Sequence, residues 1–383
     1  MNIPMELAFS AEEYRRRVRQ AQSRLAQRGL DAVVLFGPHN IQYLTGMDSE
    51  NLFDPQACIL PADGDPVLVI LDFELGRFEN SAWLAKPVLY GSFDDPIAAF
   101  ASAIDAAGLS RGRIGIEQRA INAQQHAQLA RLLPEARLED AFGIVEPVRL
   151  VKSADEIALM RRAAGMTDNA VAAGFAAISD GHRDHEVAAA ITAALYSEGS
   201  HLICWGPIVA SGYRSGLAHS AHSGRVMRTG EIVFLELTGQ YRRYTAPLMR
   251  SAVIGRASPE QQRIADASAA AVEAILGTAR PGIEAREVAA AGLVPIAPVE
   301  SSIVFHHNFG YPVGLGYPPS WIETLGFFLR ADNPALLQPG MVFHLPMSLR
   351  VAGNFGVCLS HTMLVTETGA EALTQSPAKL VEI

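Results

Sequence analysis

The chain has 383 residues, 49% of them apolar and 19% charged, which is the composition of an ordered globular protein and excludes a disordered or collagen-like chain. At roughly 150 residues per domain the length predicts two domains, with cores large enough to need no disulfide staples. The formal net charge of -9, from 40 acidic against 31 basic residues with no segregated basic patch, argues against nucleic acid as a partner, because a phosphate backbone would be repelled.

In chain order, Ser10-Ala-Glu-Glu13 is a capping box, and the helix it opens should end near Gly29. Asp31 to Phe36 reads as a buried strand. Ala57 to Leu60 and Pro66 to Leu71 flank Asp63-Gly64 as a hairpin. Arg113 to Glu117 is a short strand before a helix around Ala123 to Leu133. These elements predict a small mixed α/β domain over residues 1–150, ending near Arg149. The three cysteines, Cys58, Cys204 and Cys358, are odd in number and far apart. They read as reduced thiols of a cytoplasmic protein, not as disulfides or a metal-spaced pair. Residues 1–17 hold no apolar signal core, and no apolar stretch approaches the ~20 residues of a bilayer span, so no membrane is expected.

The second domain, residues 151–383, opens with a capping box at Ser153-Ala-Asp-Glu156. A third lies at Ser258-Pro-Glu-Gln261, with Pro259 at the first helical position, where its missing N–H costs nothing. Strand-like runs lie at Ile203 to Ala210, Glu231 to Thr238, Pro247 to Ile254, Met341 to Leu345 and Thr362 to Thr366. Helices segregated from antiparallel strands predict an α+β domain.

Four clusters carry chemistry: Ser211 to His219; Leu235-Glu236-Leu237 with Tyr244, Pro247 and Arg250; His306 to Gly314; and Pro339 to His344 with Ser360-His361. Alternation puts Val233, Leu235 and Leu237 on one face of a strand and Phe234 and Glu236 on the other. Both faces hold apolar residues, so the strand is buried. A buried carboxylate then requires a cation or a substrate, or a salt bridge to Arg250 or Arg243.

These clusters, with the Arg149-to-Glu156 entry, His307-x-x-Gly310, Gln338-Pro-Gly-Met341 and Val365-Thr-Glu-Thr-Gly369, resemble the pita-bread superfamily of creatinase, prolidase, aminopeptidase P and methionine aminopeptidase. The resemblance implies a pita-bread catalytic domain preceded by a smaller creatinase-type α/β domain. The superfamily's metallopeptidases hold two metal ions with two Asp, one His and two Glu. The matching positions here are Glu236, Pro247, Tyr311, Pro346 or its neighbour, and Ser360. Hard divalent ions need several anionic or imidazole ligands, so no metal and no other cofactor is expected.

The same resemblance makes His219 the candidate base and Glu236 the candidate cation clamp or nucleophile. It makes His307 a substrate contact and lets the Tyr311 phenol donate a hydrogen bond into the pocket. Arg330 reads as a fork for a substrate carboxylate or as an exposed loop arginine. His361 is a second candidate base or substrate contact. By analogy with creatinase-type homodimers, Glu50, Asn51 and Asp54 reach a partner's active site or form a polar surface loop.

A closer resemblance is to the ectoine hydrolases of this superfamily. Leu235-Glu236-Leu237, Arg243-Tyr244 with Pro247-Leu248, Gly310-Tyr311, Gly316-Tyr317-Pro318-Pro319-x-Trp321 and Gln338-Pro-Gly-Met-x-Phe-His344 carry it, and they add Tyr244 to the substrate-binding set. The implied function is metal-independent hydrolysis of a C–N bond in a small polar amidine, cyclic amidine (ectoine-like) or guanidino compound. The alternatives are a metal-dependent Xaa-Pro dipeptidase or aminopeptidase, and a non-catalytic binding protein of the same fold.

Overall fold

A computed structural model describes residues 3–323 and 326–383. The chain divides into two compact units, residues 1–149 and 150–383.

The first unit is a six-stranded mixed sheet covered by helices. Its central strand Ala32–Leu35 pairs antiparallel with Ala57–Pro61 and parallel with Arg113–Ile116. Helix Ala11–Arg28 starts where the Ser10 side chain accepts from the Glu13 N–H, and it stops at Gly29, whose φ of 62° suits a residue without Cβ. Its buried residues Tyr14, Val18, Ala21 and Leu25 recur every three or four positions, the spacing of one helix face. Arg17 lies on that face as well, its guanidinium 4.2 Å from the Phe9 ring and 4.3 Å from the Tyr43 ring.

The second unit begins at the Ser153 capping box, where helix Ala154–Ala177 starts. That helix and Asp184–Ser197 cover one face of a four-stranded sheet whose middle strand, Ile232–Leu237, lies between Ile208–Ser211 and Leu248–Val253. Val233, Leu235 and Leu237 pack there against Met166, Val171, Ile191 and Leu195. The other face presents Phe234 to Ile208, Ala210, Met249 and Cys358. Helices Pro259–Thr278 and Ala285–Ile296 build a second core with Phe343, Leu345, Leu349 and Val357. A further sheet runs through Thr362–Val365, Val342–His344, Tyr311–Tyr317 and Tyr244–Thr245.

Met347–Val351 and Phe355–Leu359 form a hairpin that completes the unit. The short 3-10 turn Gly212–Gly216 presses against it, and a Cβ on Gly216 would stand 2.9 Å from the Val351 carbonyl oxygen. Strand Tyr311–Tyr317 and the hairpin lie outside the sequence expectation. Glycine and proline at Gly310, Pro312, Gly314 and Gly316 mask the first, because both residues are depleted in strands. Helices Asp184–Ser197 and Ala285–Ile296 also escape it: no Ser or Thr caps them, and only the Glu186 and Glu287 carboxylates reach back to accept from the Arg183 and Glu284 N–H groups. Among the described residues no helix is long and apolar enough to cross a membrane.

Candidate functional site

Glu236 sits on the middle strand, opposite Met249 on one side and Ile208 on the other. It is only 7% exposed. Among the described residues its carboxylate has neither a hydrogen-bond donor nor an ion-pair partner. Loss of hydration pushes its pKa up to about 7, against a downward pull from Arg350. Neither arginine suggested by the sequence neutralises it. Arg250 pairs across from Leu235, so it points to the opposite face. Its guanidinium donates to the carbonyls of Met249, Ser360 and Ser376. Arg243 lies over the Tyr317 ring, 4.5 Å from its centroid.

The cation beside Glu236 is Arg350, which sequence reasoning passed over. It stands on strand Met347–Val351, whose backbone bridges to Val304. Its Nη1 donates to the carbonyls of Ser215 and Leu217. Its guanidinium carbon is 5.2 Å from the centroid of Phe234, the residue that shares a strand face with Glu236. One signal for it exists in the sequence: a lone charge within Met347-Ser-Leu-Arg-Val351 obeys the same logic as Glu236.

Tyr311 opens its strand directly opposite His344. The Trp321 indole N–H donates to the Tyr311 hydroxyl at 2.9 Å. That hydroxyl is 2.7 Å from Nδ1 of His344. Nε2 of His344 lies 2.8 Å from Ser360 Oγ, which accepts from the Met249 N–H at 2.6 Å. Burial, and then the charges of Arg250, His361 and His306, push the His344 pKa down to about 3. Burial and then the nearby Glu236 carboxylate hold the Tyr311 phenol well above its ordinary value. Arg350 and Tyr311 thus both lie close enough to Glu236 for its charge to be felt.

Three histidines lie near one another, and one of them, His306, lies near Arg350. His219 follows the 3-10 turn on an exposed loop, and its φ of 55° is left-handed. His307 is exposed as well, with φ 52° and Nε2 3.5 Å from Glu300 Oε1. His306 keeps Nδ1 as an acceptor for the Asn308 N–H at 3.1 Å. Part of its ring reaches solvent, yet lost hydration, then Arg350, His307 and His219, depress it to about 4. The influence of His219 thus reaches His306, and that of Arg350 reaches both His306 and Glu236. No bond joins His219 to Glu236 among the described residues.

The remaining expected site residues lie elsewhere. The Tyr244 hydroxyl donates to Glu156 at 2.8 Å, tying its strand to the start of helix Ala154–Ala177. His361 points away from Ser360, with Nδ1 2.9 Å from Thr374 Oγ1 and Arg250 as its charged neighbour. Arg330 is exposed and paired with Asp332 at 2.9 Å. Glu50 is exposed in the first unit, beside a small recess lined by Ser49, Asn51, Asp54 and Glu74.

The positions that match the superfamily's metal ligands do not fit a metal pair. Only Glu236 among them offers an anionic donor. Pro247 and Pro346 have no side-chain donor, Tyr311 is held protonated, and the Ser360 hydroxyl is engaged by His344 and Met249. Among the described residues no group of three or more His, Cys, Asp or Glu gathers as a ligand set.

Residues 158–367 match the model of metallopeptidase family M24, and residues 17–151 match that of the creatinase/prolidase N-terminal domain. The chain is 30% identical to the uncharacterized hydrolase/peptidase y4tM of Sinorhizobium fredii, over 98% of each chain. It is 28% identical to the ectoine hydrolase of Halomonas elongata, over 99% of each. Among solved structures, the dipeptidase PepE of Mycobacterium ulcerans superposes with a TM-score of 0.85 at 26% identity, covering 98% of this chain and 99% of that one. A prolidase from Thermococcus sibiricus gives a TM-score of 0.87 at 22% identity, covering 98% and 100%, a likeness of fold alone.

Proposed function

Because the chain belongs to metallopeptidase family M24, and is a hydrolase of that family, we propose that it works without a metal, cleaving a C–N bond in a small polar amidine, cyclic amidine or guanidino compound. One observation carries this reading: a buried carboxylate, Glu236, has no protein partner, and the neighbouring ligand positions have become Pro247, Tyr311, Pro346 and Ser360. In a metallopeptidase the metal serves as the Lewis acid that polarises an unactivated peptide carbonyl. A protonated amidine carbon is already electron-poor, so a carboxylate to hold the cation and a base to activate water suffice. The relative that is an ectoine hydrolase, at 28% identity over 99% of both chains, supports the same substrate class.

In this reading Glu236 receives the amidinium, either as clamp or as nucleophile. His219 takes a proton from the attacking water, the C–N bond breaks, and the departing nitrogen leaves with a proton. The products are an amide and an amine from an amidine, or a urea and an amine from a guanidino compound. Tyr311 stands where its hydroxyl can donate to the developing charge.

The test is turnover of ectoine and of creatine by protein dialysed against chelator. Undiminished hydrolysis of either compound supports the proposal. Activity that vanishes with chelator and returns with manganese overturns it, as does a preference for Xaa-Pro dipeptides.

A further inference from the structure

Arg350 and Glu236 carry opposite charges, lie near enough for one to act on the other, and do not meet. No nitrogen of Arg350 comes within 4.0 Å of a Glu236 oxygen, the separation of an ion pair. Arg350 is 8% exposed and commits only Nη1, to two backbone carbonyls. Its Nε and Nη2 have no partner among the described residues, and neither they nor the Glu236 oxygens are sealed from solvent. That edge is the one an arginine offers a carboxylate through two parallel hydrogen bonds.

Leaving both groups unpaired is costly in a protein interior, so something else should complete them. Their spacing limits what it is. The guanidinium lies over the Phe234 ring, and Phe234 and Glu236 are two residues apart on one strand face, about 7 Å between their Cα atoms in an extended chain. A ligand with its cation and its carboxylate a few bonds apart spans that gap. A carboxylate on a carbon attached to an amidine or guanidine nitrogen has this separation.

We propose that Arg350 anchors a substrate carboxylate, so that the site is built for a zwitterion whose amidine or guanidine rests on Glu236 while its carboxylate takes the Nε–Nη2 edge of Arg350. This rests on the hydrolytic reading above and deepens it by fixing the substrate class. Arg330, the arginine the sequence offered for that task, is exposed and paired with Asp332.

Calorimetric titration of the whole protein with ectoine, and with the same ring lacking its carboxylate (2-methyl-1,4,5,6-tetrahydropyrimidine), tests the anchor. The wild type should bind the bare ring at least tenfold more weakly than ectoine. Arg350→Met should weaken ectoine at least tenfold and the bare ring less than threefold. Should Arg350→Met not fold, Arg350→Lys keeps stem and charge but loses the fork, and it should show a smaller loss confined to ectoine. Equal losses for both ligands overturn the anchor. So do a wild type that does not tell the ligands apart, ectoine that fails to bind, and a selective loss that appears in Arg330→Met instead. Ectoine that binds through Arg350 but stays intact leaves the anchor standing and removes the hydrolytic reading. Ectoine hydrolysed with no dependence on its carboxylate does the reverse.

Discussion

The Tyr311 hydroxyl lies 2.7 Å from Nδ1 of His344, and the hydrogen bonds around this pair decide where its proton points. In one arrangement Tyr311 donates to His344 and His344 donates to Ser360. The Ser360 proton then has no acceptor in a fully buried position, at a cost of about 1–3 kcal/mol. In the other, Ser360 donates to Nε2, His344 donates from Nδ1, and Tyr311 accepts from both His344 and Trp321. The hydroxyl proton of Tyr311 is then free to point toward Glu236 and a bound substrate. Each arrangement leaves one hydroxyl proton without a protein acceptor, that of Ser360 in the first and that of Tyr311 in the second, and the second is the one that a substrate acceptor beside Tyr311 completes.

Tyr311→Phe should therefore lower kcat by roughly 10- to 100-fold, the scale of one lost transition-state donor, with KM within about threefold. Ser360→Ala should lower kcat less and lower stability by about 1–3 kcal/mol, because it strands the Met249 N–H. Steady-state kinetics with denaturant melts separate the two. Equal kcat in wild type and Tyr311→Phe would remove the tyrosine from the chemistry.

Glu236 predicts a pH limb. Its carboxyl titrates near about 7 when the site is empty, and only the ionised form binds a cation. For a cationic substrate, kcat/KM should rise about tenfold per pH unit below 7 and level off above it. Stability runs the opposite way. The folded pKa lies above the ordinary glutamate value of about 4.5, so ionisation costs the folded state as pH rises from about 4.5 to about 7. The cost approaches roughly 3 kcal/mol at pH 8. Glu236→Gln should abolish turnover, remove the limb and raise the denaturation midpoint at pH 8. A lower midpoint would show that the carboxylate is satisfied within the protein.

How far the sequence reveals this site depends on the range of the contacts. Glu236 is legible because alternation in Val233–Leu237 is local, and local pattern is what a chain displays. Arg350 follows the same rule, but its anchors, the Ser215 and Leu217 carbonyls, are 135 and 133 residues away. The fate of Tyr244 turns on Glu156, 88 residues earlier. Ser360 and His361 are neighbours that face opposite ways, and only strand register tells which one meets His344. The helix starts at Ser10, Ser153 and Ser258 are readable because a cap lies within four residues of what it caps.

His219, the proposed base, lies near His306. Its left-handed backbone, φ 55°, holds the ring on an exposed loop. His219→Ala should reduce kcat by about 10²-fold or more, the range of a lost general base, with KM little changed. Added imidazole should restore part of the rate. His306 is already depressed to about 4 and serves as an acceptor for Asn308, so His306→Ala should cost far less in kcat. A larger loss at His306 than at His219 would exchange their roles.

The ion pair of Lys152 with Glu323 has both side chains wholly buried. Two charges held out of water gain their attraction only while both remain. Lys152→Met should destabilise by about 3 kcal/mol or more, since it breaks a wholly buried ion pair from one side. The double change Lys152→Met with Glu323→Leu removes both charges and should recover most of that loss. Denaturant unfolding of the two single variants and the double one forms a closed cycle. Additive losses would mean that the two charges are stabilised independently, with the pair itself contributing nothing to the second unit.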